Sequence, residues 1–260
     1  MEHFIHPGLL NRQVKVVVVG AGGTGSQVIT GLAQLDRAMR SLGHPGGLHV
    51  TVVDDDTVSE ANVGRQMFWP SDVGLPKAEI LVHRINLAMG LNWRASVSKV
   101  GSLDLSGADI VVGCVDNRAA RKTIYETTRA GAYWLDIGNR AEDGQCILGE
   151  IPQRHSPIER DDRLPTVAEF YPEVIDPALD GKDDTPSCSL AEALEKQGLF
   201  VNRGVSLYAL NLLWRLFRHG RLDHHGVFMN LATGRTAPLA VDLATWERMG
   251  VLRTPQKEAA

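Results

Sequence analysis

Three glycines, Gly20, Gly22 and Gly25, stand in the run GAGGTG, where they could shape a phosphate-binding turn. Gly20 allows a tight turn, Gly22 lets a phosphate approach the backbone, and Gly25 lets a helix pack closely on a strand. A helix opening there offers free N–H groups and a partial positive charge to an anion. Asp54 ends a second apolar run, where an acid can accept hydrogen bonds from ribose hydroxyls. Because Asp54, Asp55 and Asp56 are consecutive, a solvated acidic loop is the other reading. Asp116 and Asn117 end a third apolar run and precede a predicted helix, and both residue types cap helices well. The glycine turn points to a nucleotide without saying which one.

Those residues need elements to hold them. VKVVVV at 14–19 reads as a strand buried on both faces of a parallel sheet. Val28, Leu32, Leu35, Met39 and Leu42 recur at helical spacing after the turn. A strand, LHVTVVD, closes at Asp54. A helix with Pro76 at its start carries Leu81, Ile85 and Ala88 on one face. A strand at 108–116, a helix at 117–131 and a strand at 132–138 follow. This alternation predicts an α/β, Rossmann-like, doubly wound and mostly parallel sheet. Six of the twelve prolines fall in 151–187, which reads as a long functional or mobile loop. Beyond it, 188–198 and 203–219 look helical, with Leu207, Leu210, Trp214 and Phe217 lining one face of the second. Core packing is the better reading of that face, and a dimer contact the other. GVFMNLATGRTAPLAVD reads as an antiparallel strand pair with its turn at Thr233–Gly234, and PQKEAA as a frayed tail. One domain is expected over 1–260: a nucleotide-binding core at 14–150, a crossover loop at 151–187, and C-terminal helices and strands at 188–250.

Composition narrows the class. Of 260 residues, 27 are Lys or Arg and 31 are Asp or Glu, a net charge of −4. There is no basic excess to suggest a nucleic-acid partner or an anionic membrane surface. No apolar run approaches the roughly 18 residues of a membrane helix, and MEHFIHPGLLNRQ has no leader pattern. The expectation is a cytoplasmic protein. The three cysteines, Cys114, Cys146 and Cys188, form no CxxC pair, so no structural zinc is expected. Cys114 and Cys146 lie on predicted strands and read as core, and the adjacent His224 and His225 read as surface residues.

DDDTVSEANVGRQ at 54–66, GLPKAE at 74–79 and CVDN at 114–117, following GAGGTG in that order, resemble the ThiF/HesA/MoeB adenylyltransferases, bacterial relatives of the ubiquitin-activating enzymes. The resemblance covers about 14–150 firmly and 188–217 loosely. LPTVAEFYPE and PSCSLAEALEKQGLF are similar to a ThiF subset found with plasmid-borne PRTRC gene systems. The resemblance implies an enzyme that uses ATP and Mg²⁺. It would adenylate the C-terminal glycine of a ubiquitin-like or sulfur-carrier protein and release pyrophosphate. It also allows a homodimer.

By the same resemblance, Arg65 and Lys77 would contact phosphates and Asn62 and Gln66 would stand beside them. Asp116 would hold Mg²⁺, and Asn117 would cap a helix or line the adenosine pocket. Lys77 falls in a predicted first helical turn, where the helix dipole disfavours a cation, and that favours a functional lysine over a surface one. Ordinary loop hydrogen bonding is the other reading of Asn62 and Gln66. Arg121 matches a basic position of the family, or else faces solvent. Cys188, ahead of a predicted helix, could accept the activated acyl group, or simply be a buried thiol. The chain departs from the family in lacking the zinc pair and in keeping only NRQ at 11–13 of an N-terminal arginine segment, so Arg12 is an uncertain equivalent of an arginine that reaches a partner's site. Two other functions share the motifs: an NAD-dependent oxidoreductase on the same turn, and a non-catalytic adaptor subunit of an activating complex.

Overall fold

The valine run forms the middle of a sheet. A computed structural model describes residues 1–153, 162–181, 191, 194 and 197–251. In chain order these form β1 (His3–Phe4), β2 (Val14–Val19), α1 (Gly23–Ser41), β3 (Leu48–Val53), α2 (Lys77–Met89), β4 (Arg94–Ser96) and β5 (Ile110–Gly113). Then come α3 (Arg118–Thr127), β6 (Tyr133–Asn139), β7 (Asp143–Glu150), the single turn α4 (Val167–Phe170), α5 (Val201–His219), β8 (Arg221–Leu222), β9 (His224–Asn230), β10 (Arg235–Ala240) and α6 (Leu243–Arg248). Eight strands make one sheet in the order β10-β9-β7-β6-β5-β2-β3-β4. The pairings β4–β3, β3–β2, β2–β5 and β5–β6 are parallel, whereas β7, β9 and β10 join antiparallel. The expected α/β sheet and its C-terminal antiparallel pair are both present.

Helices cover the sheet because their apolar stripes have no other cover. Val28, Ile29, Leu32, Leu35 and Met39 of α1 are buried. Each such fully buried aliphatic side chain contributes roughly 1.5–3 kcal/mol through area removed from water. α1 also packs along α5. Leu42, expected on the stripe, is 54% exposed, because the helix has ended by then. In α2 the buried apolar set is Ala78, Leu81, Val82 and Ile85, while Ala88 faces solvent. The helix α3 is shorter than expected and stops at Thr127.

Other sequence expectations require correction. The core-facing side of α5 is Val201, Val205, Ala209, Leu212, Leu213 and Leu216. Leu207 is 66% exposed, and Leu210, Trp214 and Phe217 lie half-buried at the edge of the core. Apolar residues take more than half of the positions of this helix and lie on more than one side of it, so spacing alone could not select the face. The segment 162–181 is no bare loop: Leu164, Val167, Ala168 and Phe170 are buried in the core, and Thr166 and Glu169 cap α4 reciprocally. His225 is not a surface residue. It is fully buried, with Nδ1 2.7 Å from Leu148 O and Nε2 accepting from Trp246 Nε1 at 3.0 Å. His224 is half-buried, 2.6 Å from Asp223. Cys146 is buried in β7, but Cys114 lies one residue past β5 and is half-buried. Most of the predicted helix 188–198, Cys188 itself and the tail PQKEAA lie outside the described residues.

Candidate nucleotide site at the switch point of the sheet

The chain runs from β2 to β3 on one side and later returns as β5 on the other, so the C-terminal ends of β2 and β5 form a topological switch point. Open α/β sheets bind ligands at such points. Gly20 sits there with φ +93°, and a Cβ on it would lie 2.5 Å from Cys114 O. At Gly25 a Cβ would lie within bonding distance of Gly20 O, so the first turn of α1 rests on the glycine turn itself. Gly22 differs. A Cβ there meets nothing nearer than Gln66 Nε2 at 4.0 Å, so the backbone faces open space. Two of the three glycines are thus explained by the fold, and Gly22 is free to face a ligand.

Acidic and basic side chains converge around this turn. Asp54 Oδ2 accepts from Ala21 N at 2.6 Å and Oδ1 from Asp56 N at 2.9 Å, which ties β3's end to the glycine turn. Burial raises the Asp54 pKa, against the opposing pull of those two N–H groups and Lys77. Asp54 is therefore partly enclosed and not a solvated loop acid. Lys77 opens α2, is buried, and places Nζ 2.8 Å from Asp56 Oδ2, whose side chain is 68% exposed. Arg65 donates from Nη1 to Gln197 Oε1 at 2.7 Å, while its Nε is buried without a partner. Burial lowers the Arg65 pKa, because the guanidinium loses water that no described carboxylate replaces. Gln66 is buried, with Oε1 unpaired. Asn62 is turned to local use: its Oδ1 accepts from Ser59 N at 2.9 Å.

The opposite wall follows β5. Asp116 is exposed, contacted by Asn117 Nδ2 at 3.3 Å. Asn117 caps α3, accepting from Ala120 N at 2.8 Å. Arg121 does not face solvent. Its Nε donates to Asp136 Oδ1 at 2.9 Å, and Asp136 is 1% exposed. Next to the cap, Arg118 donates to Glu173 O and Leu179 O, both at 3.0 Å, and Asp180 accepts from its backbone N–H. This clips the end of the crossover segment beside the site. Arg12 is elsewhere. It forms two 2.7 Å bonds with Asp109, at the N-terminal end of the sheet.

Sequence reasoning did not find the relay that joins these walls. Thr24 Oγ1 donates to Asn202 Oδ1 at 2.9 Å, and Asn202 Nδ2 donates to Gln197 Oε1 at 2.9 Å, the atom Arg65 also uses. Asp136 had a visible signal, an acid inside the apolar run AYWLDIG, whereas Asn202, next to Arg203, had none. Gln197 carried none. Among the described residues no helix is long and apolar enough to cross a membrane, and no group of three or more His, Cys, Asp or Glu could hold a metal.

The sheet order and the glycine turn at its switch point define a Rossmann-like α/β protein. Its architecture is similar to that of E. coli MccB in a crystal structure with ATP (TM-score 0.58, 14% identity, 88% of this chain and 64% of that one), a likeness of fold. The ThiF family matches residues 9–233, and the chain belongs to that family. Among curated proteins it is similar to the adenylyltransferase and sulfurtransferase UBA4 of Yarrowia lipolytica, 35% identical over 122 residues, 45% of this chain and 28% of that protein. It is also similar to the SAMP-activating enzyme E1 of Haloferax volcanii, 36% identical over 162 residues, 55% of each. The chain therefore spans between a quarter and about half the length of these relatives.

Proposed function

We propose that this chain binds ATP with Mg²⁺ and adenylates a carboxylate, the C-terminal glycine of a ubiquitin-like or sulfur-carrier protein. One observation carries the reading. Arg65 Nε and Gln66 Oε1 are buried without partners beside Gly22, whose backbone faces open space. A buried unpaired polar group costs about 1–3 kcal/mol, so two in one place are better explained by a polar ligand than by folding. The relatives named for adenylyltransfer and for activation support the reaction class.

In this reading the N–H groups around Gly22 and the head of α1 receive phosphate oxygens. Arg65 supplies a planar fork of donors, and Lys77 exchanges the exposed Asp56 for a phosphate. Asp54 receives the ribose hydroxyls. Asp116, exposed at the strand end, would hold Mg²⁺, which takes one or two carboxylates plus phosphate oxygens and waters and offsets their charge. The acceptor's carboxylate oxygen bonds to the α-phosphorus, the bond to the β-phosphate oxygen breaks, and pyrophosphate leaves with that electron pair. The chain's part is placement and charge neutralisation.

Pyrophosphate exchange into ATP, stimulated by the acceptor, tests this directly. Arg65→Ala and Asp116→Ala should each lower exchange by roughly a hundredfold or more. Unchanged exchange in both would remove these assignments. ATP with Mg²⁺ should raise the melting temperature more than NAD does, and the reverse would favour an oxidoreductase. Nucleotide binding without exchange, with a confirmed protein partner present, would instead mark an adaptor.

A further inference from the structure

Guanidinium groups that leave water in this chain are matched with carboxylates, with one exception among the described residues. Arg84, Arg118, Arg121, Arg163 and Arg215, all buried or half-buried, each pair with an aspartate or a glutamate. Arg65 is half-buried as well, but it meets a neutral amide: its single hydrogen bond among the described residues runs from Nη1 to Gln197 Oε1 at 2.7 Å. That oxygen also accepts from Asn202 Nδ2 at 2.9 Å, so both of its lone pairs are taken and the amide is fixed in orientation. Asn202 is 3% exposed and lies against the first turn of α1. A Cβ built on Gly23 would lie 2.5 Å from Asn202 Nδ2, and Asn202 Oδ1 accepts from Thr24 Oγ1 at 2.9 Å. Two amides therefore tie the guanidinium to the helix turn that follows Gly22. Leaving a half-buried cation without a counter-ion costs stability, and an anionic ligand removes that cost.

We infer that Gln197 positions Arg65 for the triphosphate, and that its neutrality leaves the positive charge of Arg65 to the nucleotide. The inference rests on the adenylation reading and deepens it by naming how the site holds its phosphate-binding arginine. A carboxylate at the same place would hold the guanidinium as firmly, but it would offset the charge and repel an approaching phosphate. The amide oxygen holds one Nη, and Nε and the other Nη keep their donors for a ligand. Thr24 and Asn202 carry the position of the glycine turn across to Gln197. The spacing between the two phosphate-binding groups is thus set by side chains of α1 and α5, and not only by the segment between β3 and α2 that bears Arg65. Gln197 is a positioning residue: it acts through Arg65 and touches no phosphate itself.

The test is the Kd for ATP with Mg²⁺, measured by calorimetry on the full chain, beside the melting temperature without nucleotide. Gln197→Glu can accept both hydrogen bonds and should melt at or above the native temperature, yet bind ATP about tenfold more weakly or worse. A strut of purely structural use predicts native affinity in that variant. Gln197→Ala should weaken ATP binding by about fivefold or more when Arg65 is present. It should cost nothing further in a chain that already carries Arg65→Ala, because Gln197 works only through that side chain. Native affinity in a stably folded Gln197→Glu chain, or losses that simply add in the double variant, overturns the inference and leaves adenylation standing. Should Gln197→Glu not fold, the alanine cycle decides alone. Failure of the intact chain to bind ATP with Mg²⁺ removes the adenylation reading and the inference together.

Discussion

The chemistry of each thiol follows from where its neighbours place it. Burial pushes the Cys146 thiol up to about 12. Burial likewise raises Cys114, helped by the negative charge of Asp136 and opposed by the positive charge of Arg121. A thiol needs its thiolate form to react, so neither is a nucleophile near neutral pH. Brief treatment of the native protein with iodoacetamide at pH 8 should leave both unmodified, with alkylation only after unfolding, as read by peptide mass spectrometry. Rapid native alkylation of Cys114 would show that its surroundings open. Buried acids obey the same logic with opposite consequence. Asp54 and Asp136 are both raised by burial, but one is held by two backbone N–H groups and the other by an arginine. Charge at each is therefore kept in place by a specific donor, which is how a site holds its geometry.

At the scale of elements, the glycine turn separates what folding needs from what a ligand needs. Gly25→Ala would drive a methyl group into Gly20 O, and backbone cannot move aside as a side-chain end can. It should destabilise the protein by about 2 kcal/mol or more, since overpacking at fixed backbone costs at least 1–3. Gly22→Ala meets no atom closer than 4.0 Å and should cost under about 1 kcal/mol, while weakening nucleotide binding at least tenfold. Chemical denaturation and nucleotide titration of the two variants would measure the contrast, and equal effects on both properties would contradict it. The same contrast explains what the sequence could tell. β2 and the stripe of α1 were legible because a strand buried on both faces is apolar throughout and a half-buried helix repeats at 3.6. The face of α5 was not, because Leu207, Leu210, Trp214 and Phe217 are as apolar as the residues that fill the core. The candidate site was legible where each of its pieces belongs to a single local element: the glycine turn from Gly20 to Gly25, Asp54 at a strand end, Lys77 at a helix start and the Asn117 cap. It was not where residues far apart in the chain meet. Arg65 with Gln197, Thr24 with Asn202, and Arg121 with Asp136 depend on strand order, which local spacing does not encode.

At the scale of the whole molecule, the two ends of the sheet do different work, and Arg12 shows it. β2 is six residues long, so Arg12 stands roughly 20 Å from the glycine turn at about 3.3 Å per residue. There it shares Asp109 with Arg129 and the backbone N–H of Lys15. Burial alone would raise the Asp109 pKa, but the Arg12 hydrogen bonds, with those of Lys15 and Arg129, bring it below the ordinary 3.8. A depressed carboxylate stabilises the fold fully above its unfolded value, and that contribution is lost as pH falls through the folded one. Asp109→Asn should therefore be less stable than the native chain at pH 7, with the gap narrowing as pH drops below about 3.8. Arg12→Ala should cost about 1 kcal/mol, since Asp109 keeps two other donors and Arg12 is half exposed. Its pyrophosphate exchange, measured beside that of Arg65→Ala, should equal that of the native chain. Within this chain Arg12 spends its guanidinium on a structural acid at the N-terminal end of the sheet, and on that ground we predict that it contributes nothing to phosphate binding. A hundredfold loss of exchange on removing Arg12 would mean that this bridge opens in the working protein, and that its arginine crosses to an active centre the isolated fold does not bring near it.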